Sequence, residues 1–474
     1  MNLKITHNRA INSLIFAMTA QFASVISGIA TTFVVPTIVS IDSFSYWQLF
    51  LFYILYSGIT ILGINDGVYV RNGNKDLDQM NKEEISGQFK IIIISQCILS
   101  VIIYCCVAGG FWENERRIVW CFVPIGMILT NLYSYSGYVL QASNNVTKYS
   151  LSVLIGKLLL ILGITLAFCL KFESYIFFIS LSIVTLIVPS IICLYYCKEV
   201  LFCNSGKIRN ILKETKETIK VGLKIMLSSF AGMLIIGFGR FMIDYNWGIK
   251  TFGAISLAIG FSTFILGFVQ QIGLVAFPIL SRKDSSKQKF LYRILSGGLF
   301  FLMPIVYIIS PLGKILIDTW LPNYSLSALF MGALIPICIF DAKMNMIYNT
   351  YFKMLRLENS LLKINLFSFL FSSVGTLISV YIFNSYWMIL FMMTASLCIR
   401  SILAERIMNK QLQTSKLKDN LLEIFCAIIF ILTYLNFSPI LALCINLGLY
   451  ILMLILQRSY FFETIHNILE MTQK

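Results

Sequence analysis

The stretch Val221–Pro278 reads VGLKIMLSSFAGMLIIGFGRFMIDYNWGIKTFGAISLAIGFSTFILGFVQQIGLVAFP. It holds two long apolar segments separated by a polar break, Asp244 to Thr251, with one arginine, Arg240, inside the first. Each segment is long enough to cross the ~30 Å hydrocarbon core of a bilayer, which takes about 20 apolar residues in a helix. The pair reads as a hairpin of two membrane helices that turns near Tyr245.

The rest of the chain has the same character. Of 474 residues 58% are hydrophobic and 12% charged, where a soluble domain carries about 25% charged residues. So many apolar side chains cannot fit inside one or two soluble cores. The chain therefore reads as an all-α polytopic membrane protein. The ten-residue alternating strands of an outer-membrane barrel are absent. Fourteen candidate spans can be counted: 11–35, 46–66, 88–109, 118–140, 149–170, 175–197, 220–243, 252–278, 294–313, 326–351, 361–383, 386–404, 421–437 and 439–457. Only Asn436 to Pro439 separates the last two. The run Ile11–Val35 reads as the first membrane helix, because it is too long for a cleavable signal.

A net charge of +15 would suggest nucleic acid in a soluble protein. Here the basic residues sit in short connections, so the charge reads as the positive-inside bias, with no nucleic-acid partner. One set of alternate connections holds 28 Lys and Arg and the other 5, with Arg400 counted in the twelfth connection. This places both termini in the cytoplasm. The connections on the opposite side leave no room for an extracytoplasmic domain.

Four regions follow: an N-terminal six-helix lobe (1–197), a cytoplasmic linker (198–219), a C-terminal six-helix lobe (220–405), and a final region (406–474) of a loop, two further spans and a cytoplasmic tail. The Lys and Glu spacing near Lys213–Lys220 suits a short amphipathic helix on the membrane surface. A shift of 208 residues lays Phe44 on Phe252 and Lys75–Asp76 on Lys283–Asp284. The hairpin and its basic loop thus recur at one spacing.

The twelve cysteines lie mostly in apolar runs, and the two histidines, His7 and His466, stand at opposite ends. Metal-ligand spacing is missing, so no metal or cofactor is expected. Ser205–Lys207 lacks the upstream glycine of a P-loop. No histidine lies at membrane level for acyl or glycosyl transfer, so an enzyme is not expected.

Ionisable residues inside spans cost at least ~2.5–3.5 kcal/mol each and usually face a cavity or a partner. They are Lys157, Lys224, Arg240, Lys343 and one acid of comparable depth, Asp341. Lys224 is close enough to a helix end to snorkel. Lys157 is deep and flanked by Gly156 and Gly163; it either lines a cavity or snorkels. Arg240 either contacts substrate or pairs with Asp244, four residues on. Asp341 and Lys343 point to nearly opposite sides of a helix, whereas Asp341, Asn345 and Asn349 share one face. That stripe lines a water-filled space or forms a buried hydrogen-bond network. Asn65, Asp66 and Arg71 stand at a span mouth below Gly58, Gly63 and Gly67. The first span carries Gln21, Ser24, Ser27, Thr31 and Thr32 but no ionisable group, and Gln270 and Gln271 add polarity to the eighth.

Three features carry a resemblance: the first helix NRAINSLIFAMTAQFASVISGIATTFVVP, the glycine-rich end of the second reaching Arg71, and the hairpin segments GLKIMLSS, GFGRFMI and FGAISLAIGF. With these the chain resembles the polysaccharide-unit (O-antigen) flippases, which share a superfamily with multidrug and toxin extrusion transporters and the lipid II flippase. The resemblance covers the whole layout, though its motifs are diffuse. It implies two six-helix lobes plus two C-terminal helices in a bacterial inner membrane. It also implies a substrate, an oligosaccharide repeat unit on undecaprenyl diphosphate, moved to the outer leaflet by alternating access. Pathway glycosyltransferases and a polysaccharide polymerase are the implied partners. An inter-lobe cavity lined by Lys157, Arg240 and Lys343, with Arg71 at its mouth, would hold the diphosphate. Drug-exporting relatives typically carry an acid in the first helix, and this chain has none. Asp341 is the candidate for ion coupling, with Asn345, Asn349 and Gln21 as polar lining. A cation-coupled multidrug or metabolite exporter is the alternative, and a membrane-bound polymerase or acyltransferase a distant one.

Overall fold

The computed structural model describes residues 2–73, 75–112, 114–204, 206–280, 285–414 and 417–473. Of these, the side chains of 2–14, 268–280, 285–287, 417–419 and 470–473 are outside the description. Gln270, Gln271, His7, Ser205 and the Lys283–Asp284 half of the 208-residue echo therefore lie outside the described residues.

All regular structure among the described residues is helical. Eleven helices are long and apolar enough to cross a membrane, or twelve with the bent pair Pro322–Leu334 and Pro336–Met354. Within that count one helix, Ile208–Leu280, contains two spans, and Asn420–Asn436 is a shorter apolar helix. The fourteen expected spans are accommodated. The chain forms two compact units, Met1–Phe230 and Ala231–Lys474.

In the first unit, α1 (Asn2–Ile29) runs into a π turn at Ala30–Val34 and a last turn, Val35–Ile38. Pro36 has no N–H to donate, and its ring crowds the carbonyl four residues back. The wider turn before it relieves that crowding. Helix α2 (Ile41–Tyr56) starts where the Ser40 hydroxyl accepts from Ser43 N–H at 3.2 Å. The second span is not straight: after a 3₁₀ turn it breaks at Leu62 (φ 54°) and Gly63 (φ 79°) and resumes as α3 (Ile64–Asn72). Four long helices follow: α4 (Lys82–Ala108), α5 (Asn114–Ala142), α6 (Val146–Leu170) and α7 (Tyr175–Tyr196). The core is aromatic, with Phe44, Trp47 and Phe50 almost wholly buried. The Trp47 indole donates to Ser182 Oγ at 2.9 Å. Residues such as Ile94, Ile98, Leu158, Leu162 and Leu166 are exposed, as lipid-facing side chains are in a membrane protein.

Helix α8 (Ile208–Leu280) carries the hairpin. The stretch Lys213–Lys220, expected as a short surface helix, is instead the start of α8: residues 208–220 continue without a break into the span, and a separate four-residue helical turn, Lys198–Leu201, lies upstream. The reversal comes at Gly248 (φ 82°, ψ 177°), a backbone conformation that needs glycine. Arg240 and Ser256, equidistant from it, are bonded at 2.7 Å, whereas sixteen residues of straight helix would span about 24 Å. Phe252, the echo of Phe44, is fully buried like its counterpart.

The second unit continues with α9 (Ser285–Leu302), α10 (Ile305–Trp320), α11 (Ser325–Leu334) and α12 (Pro336–Lys343). A π turn at Met344–Tyr348 leads into α13 (Asn349–Met354). Helices α14 (Glu358–Tyr381) and α15 (Tyr386–Leu412) follow, and α15 runs well past its expected end at 404. The last two spans, α16 (Leu417–Asn436) and α17 (Pro439–Leu456), pack on this unit: Tyr434 Oη donates to Ala328 O at 2.8 Å, and Tyr450 Oη to Phe301 O at 3.0 Å. The tail is a further helix, α18 (Arg458–Gln473), laid on α9 through Tyr460, Phe461 and Thr464.

Candidate substrate and coupling sites

Lys157 stands near the middle of α6, half-buried, and its amine has no hydrogen-bond or ion-pair partner among the described residues. The glycines beside it serve helix packing. A Cβ on Gly156 would meet Pro189 Cγ at 2.8 Å, and one on Gly163 would run into Leu181, both on α7. Lys157 is set about 100° round the helix from Gly156, away from that contact. Gln21, on α1, is half-buried and makes no side-chain hydrogen bond among the described residues. Helices α1 and α6 pack along their length.

Arg71 is a clamp rather than an open cation at a mouth. Its Nη1 meets Glu84 Oε1 at 2.9 Å and its Nη2 meets Glu214 Oε2 at 2.7 Å; it also donates to Thr218 Oγ1. Gln88 closes the network, donating to Glu84 at 3.1 Å and to Thr218 at 2.9 Å. The break at Gly63 makes this possible. Gly63 and Gly67 lie backbone to backbone against Gly222 and Thr218 of α8. Two carboxylates thus neutralise the cation expected to meet substrate.

Arg240 is held onto the returning half of its hairpin. Its Nη2 donates to Ser256 Oγ, and its guanidinium lies 4.9 Å from the centre of the Phe252 ring. Asp244, one turn on, is 6% exposed.

Lys343 does not line an open space. It is 2% exposed, with Nζ 2.6 Å from Glu423 and 3.6 Å from Glu405. Tyr348 Oη donates to the same Glu405 oxygen at 3.0 Å. Residues five apart diverge by about 140° on an α-helix, but the intervening π turn, bonded i to i+5, aligns them. Lys343 and Tyr348 therefore reach one carboxylate.

The polar stripe on the other face is present. Asn345 donates to Asp341 Oδ2 at 3.1 Å, and Asn349 to Asn345 at 3.2 Å. Asn345 is exposed; Asp341 and Asn349 are half-buried. Asp341 also faces Arg400, with Nη1 to Oδ1 at 3.3 Å. Arg400, expected in a connection, lies within α15 at 6% exposure. Glu423, to which hydropathy assigns no role, is a buried charge in α16. Both fall inside the spans drawn from hydropathy, 386–404 and 421–437, and a check of those intervals for charge would have found them. No cluster of three or more His, Cys, Asp or Glu able to hold a metal occurs among the described residues.

No family model matches this chain, and no curated protein matches it by sequence. Solved structures do match in fold. The lipid II flippase MurJ in an inward-closed conformation matches with TM-score 0.65 at 13% identity, over 95% of this chain and 99% of that one. An inward-facing multidrug resistance MATE family transporter of the MOP superfamily matches with TM-score 0.63 at 14% identity, over 85% of this chain and 99% of that one. A MOP superfamily transporter from Pyrococcus furiosus, described as having a binding pocket of reversed polarity that suggests a different function, matches with TM-score 0.55 at 12% identity, over 86% and 96%.

Proposed function

We propose that this chain is a flippase for undecaprenyl-diphosphate-linked oligosaccharide repeat units, precursors of O-antigen or capsular polysaccharide. It moves them from the cytoplasmic to the outer leaflet of a bacterial inner membrane by alternating access, with both termini in the cytoplasm. Glycosyltransferases supply the substrate and a polysaccharide polymerase consumes it. Lys157 carries this reading. A deep ammonium without a counter-ion costs at least ~2.5–3.5 kcal/mol, and an arriving diphosphate provides the missing charge. Length supports it as well. The likeness to MurJ covers 95% of the chain and that to the MATE transporter 85%. The difference is a tenth of 474 residues, about 47, close to the length of two membrane helices.

The second reading is a cation-coupled multidrug or metabolite exporter. The likeness to MATE transporters over nearly their whole length favours it. The two readings separate in reconstituted vesicles. With a fluorescent lipid-linked oligosaccharide as substrate, Lys157→Gln lowers the flipping rate by about tenfold or more, the loss of one charge-assisted contact, and Lys157→Arg keeps most of it. Wild-type flipping by Lys157→Gln would overturn the reading. Transport of cationic dyes without movement of the lipid-linked sugar would select the exporter.

A further inference from the structure

Asp341, the candidate for ion coupling, has an intramembrane partner to which the flippase reading gives no role, Arg400. Arg400 Nε donates to Asn365 Oδ1 of α14 at 2.8 Å, and Nη1 meets Asp341 Oδ1 at 3.3 Å. A guanidinium has five N–H donors in a fork that suits a carboxylate or phosphate held at two points. Here the carboxylate takes one point only, because its second oxygen accepts from Asn345. The Nη2 end is turned to Gly232 of α8, where a Cβ would come within 2.8 Å of it. Any side chain larger than glycine would crowd the unused donors. On the other side, Asp341 is 20% exposed and heads the stripe that continues through Asn345 and Asn349. A buried cation with donors unused among the described residues is thus met at one point by a partly exposed carboxylate at the end of a polar track.

We propose that Arg400 is an anion-binding residue for a diphosphate and that Asp341 is its exchangeable counter-ion. This rests on the reading of the chain as a lipid-diphosphate flippase. The entering anion takes the guanidinium, Asp341 is displaced, and the displaced carboxylate, left in the membrane without a counter-ion, is neutralised by a proton from water. The surroundings of the pair fit this exchange. Asn345 bonds Asp341 and Asn365 bonds Arg400, both neutral amides, and Gly232 beside the guanidinium carries no side chain. Lys343 is engaged by Glu405 and Glu423. One proton enters with each anion, so affinity rises by up to about tenfold for each pH unit of acidification.

The test is diphosphate binding to the full chain in nanodiscs between about pH 6 and about pH 8, with farnesyl diphosphate and inorganic pyrophosphate as probes. Titration of the ligand itself is common to all variants, so the difference in slope is the signal. The wild type is expected to show a steeper slope than Asp341→Asn, approaching the tenfold limit, and Asp341→Asn to bind more tightly at the alkaline end. Arg400→Gln added to Asp341→Asn leaves no lone buried charge, so folding is spared, and it weakens binding by about tenfold or more. Slopes for either probe that match between wild type and Asp341→Asn overturn the inference and leave the flippase reading standing. So does a double variant that binds as tightly as Asp341→Asn. A wild type that binds neither probe at any pH removes both. A pH-linked response to farnesyl diphosphate alone assigns the site to a lipid headgroup, and a response to both assigns it to the diphosphate itself.

Discussion

Substituting Gly222 by alanine tests the packing that underlies the first unit. A Cβ there would lie 2.5 Å from Gly67 N and closer still to the Gly63 carbonyl oxygen, where ordinary contact begins at 3.4 Å. Both obstacles are backbone, so no rotamer change relieves the overlap. Clearing the Gly67 nitrogen alone takes about 0.9 Å of separation between α3 and α8, and clearing the Gly63 oxygen takes more, in the range where overpacking costs about 1–3 kcal/mol. The separation has a second effect. Arg71 Nη2 and Glu214 Oε2 are 2.7 Å apart, and the same displacement takes them to about 3.6 Å, beyond hydrogen bonding. The two losses together put the cost near 3 kcal/mol, or about 6–12 °C in Tm for a unit of this size. The buried thiols of Cys193 and Cys197 offer the assay, since a thiol-reactive dye reports their exposure on heating the purified protein. Gly28→Ala is the control, because a Cβ at Gly28 meets nothing within 4 Å. A Gly222→Ala protein melting within about 1 °C of wild type would refute the close backbone contact and the clamp that depends on it.

Two further outcomes are expected. Lys343→Met breaks a buried ion cluster and lowers stability by about 3–5 kcal/mol, while Lys343→Met/Glu405→Gln/Glu423→Gln recovers most of the loss; the same melting assay compares them, and a neutral single change would dissolve the cluster as described. Gly297→Leu lifts α18 from α9, since even a Cβ at 297 would sit 2.6 Å from Thr464 Oγ1 and 2.8 Å from Tyr460 Oη. Limited trypsin digestion should then cut after Arg458 about tenfold faster than in wild type, and an unchanged rate would place the helix elsewhere.

Hydropathy alone gave the membrane class and the spans, because one helix crossing a bilayer needs a long apolar run and little else. It could not locate breaks made by backbone geometry. Leu62 and Gly63 interrupt an apolar run without changing its composition, whereas the reversal falls at Gly248, three residues past the expected Tyr245, because Gly248 is the one glycine of the polar break 244–251. Charged residues were harder to assign. Arg71 stood out as a cation at a helix end, but its partner Glu214 is 143 residues away, a distance that no local pattern spans. The opposed faces of Asp341 and Lys343 were readable from helical spacing, since a stripe at i, i+4 repeats within one element. The identity of their partners was not, because Arg400, Glu405 and Glu423 come from α15 and α16. The amphipathic tail Arg458–Gln473 gives no signal of a separate element, being too polar to span and too short to form a helix alone.

The π turn at Met344–Tyr348 amounts to a spare residue inside a membrane helix. An insertion in a span normally needs a loop, and hydrocarbon tolerates none exposed to lipid. A widened turn absorbs the extra residue while the chain stays helical on both sides. Winding that turn as an ordinary helix, with every residue kept, would rotate everything beyond it by about 100°. The span would still cross. Tyr348 would turn away from Glu405, while Lys343 would stay in place. The bilayer would accept such a helix by every criterion of length and hydropathy, and the chemistry on the two sides of the turn would be out of step.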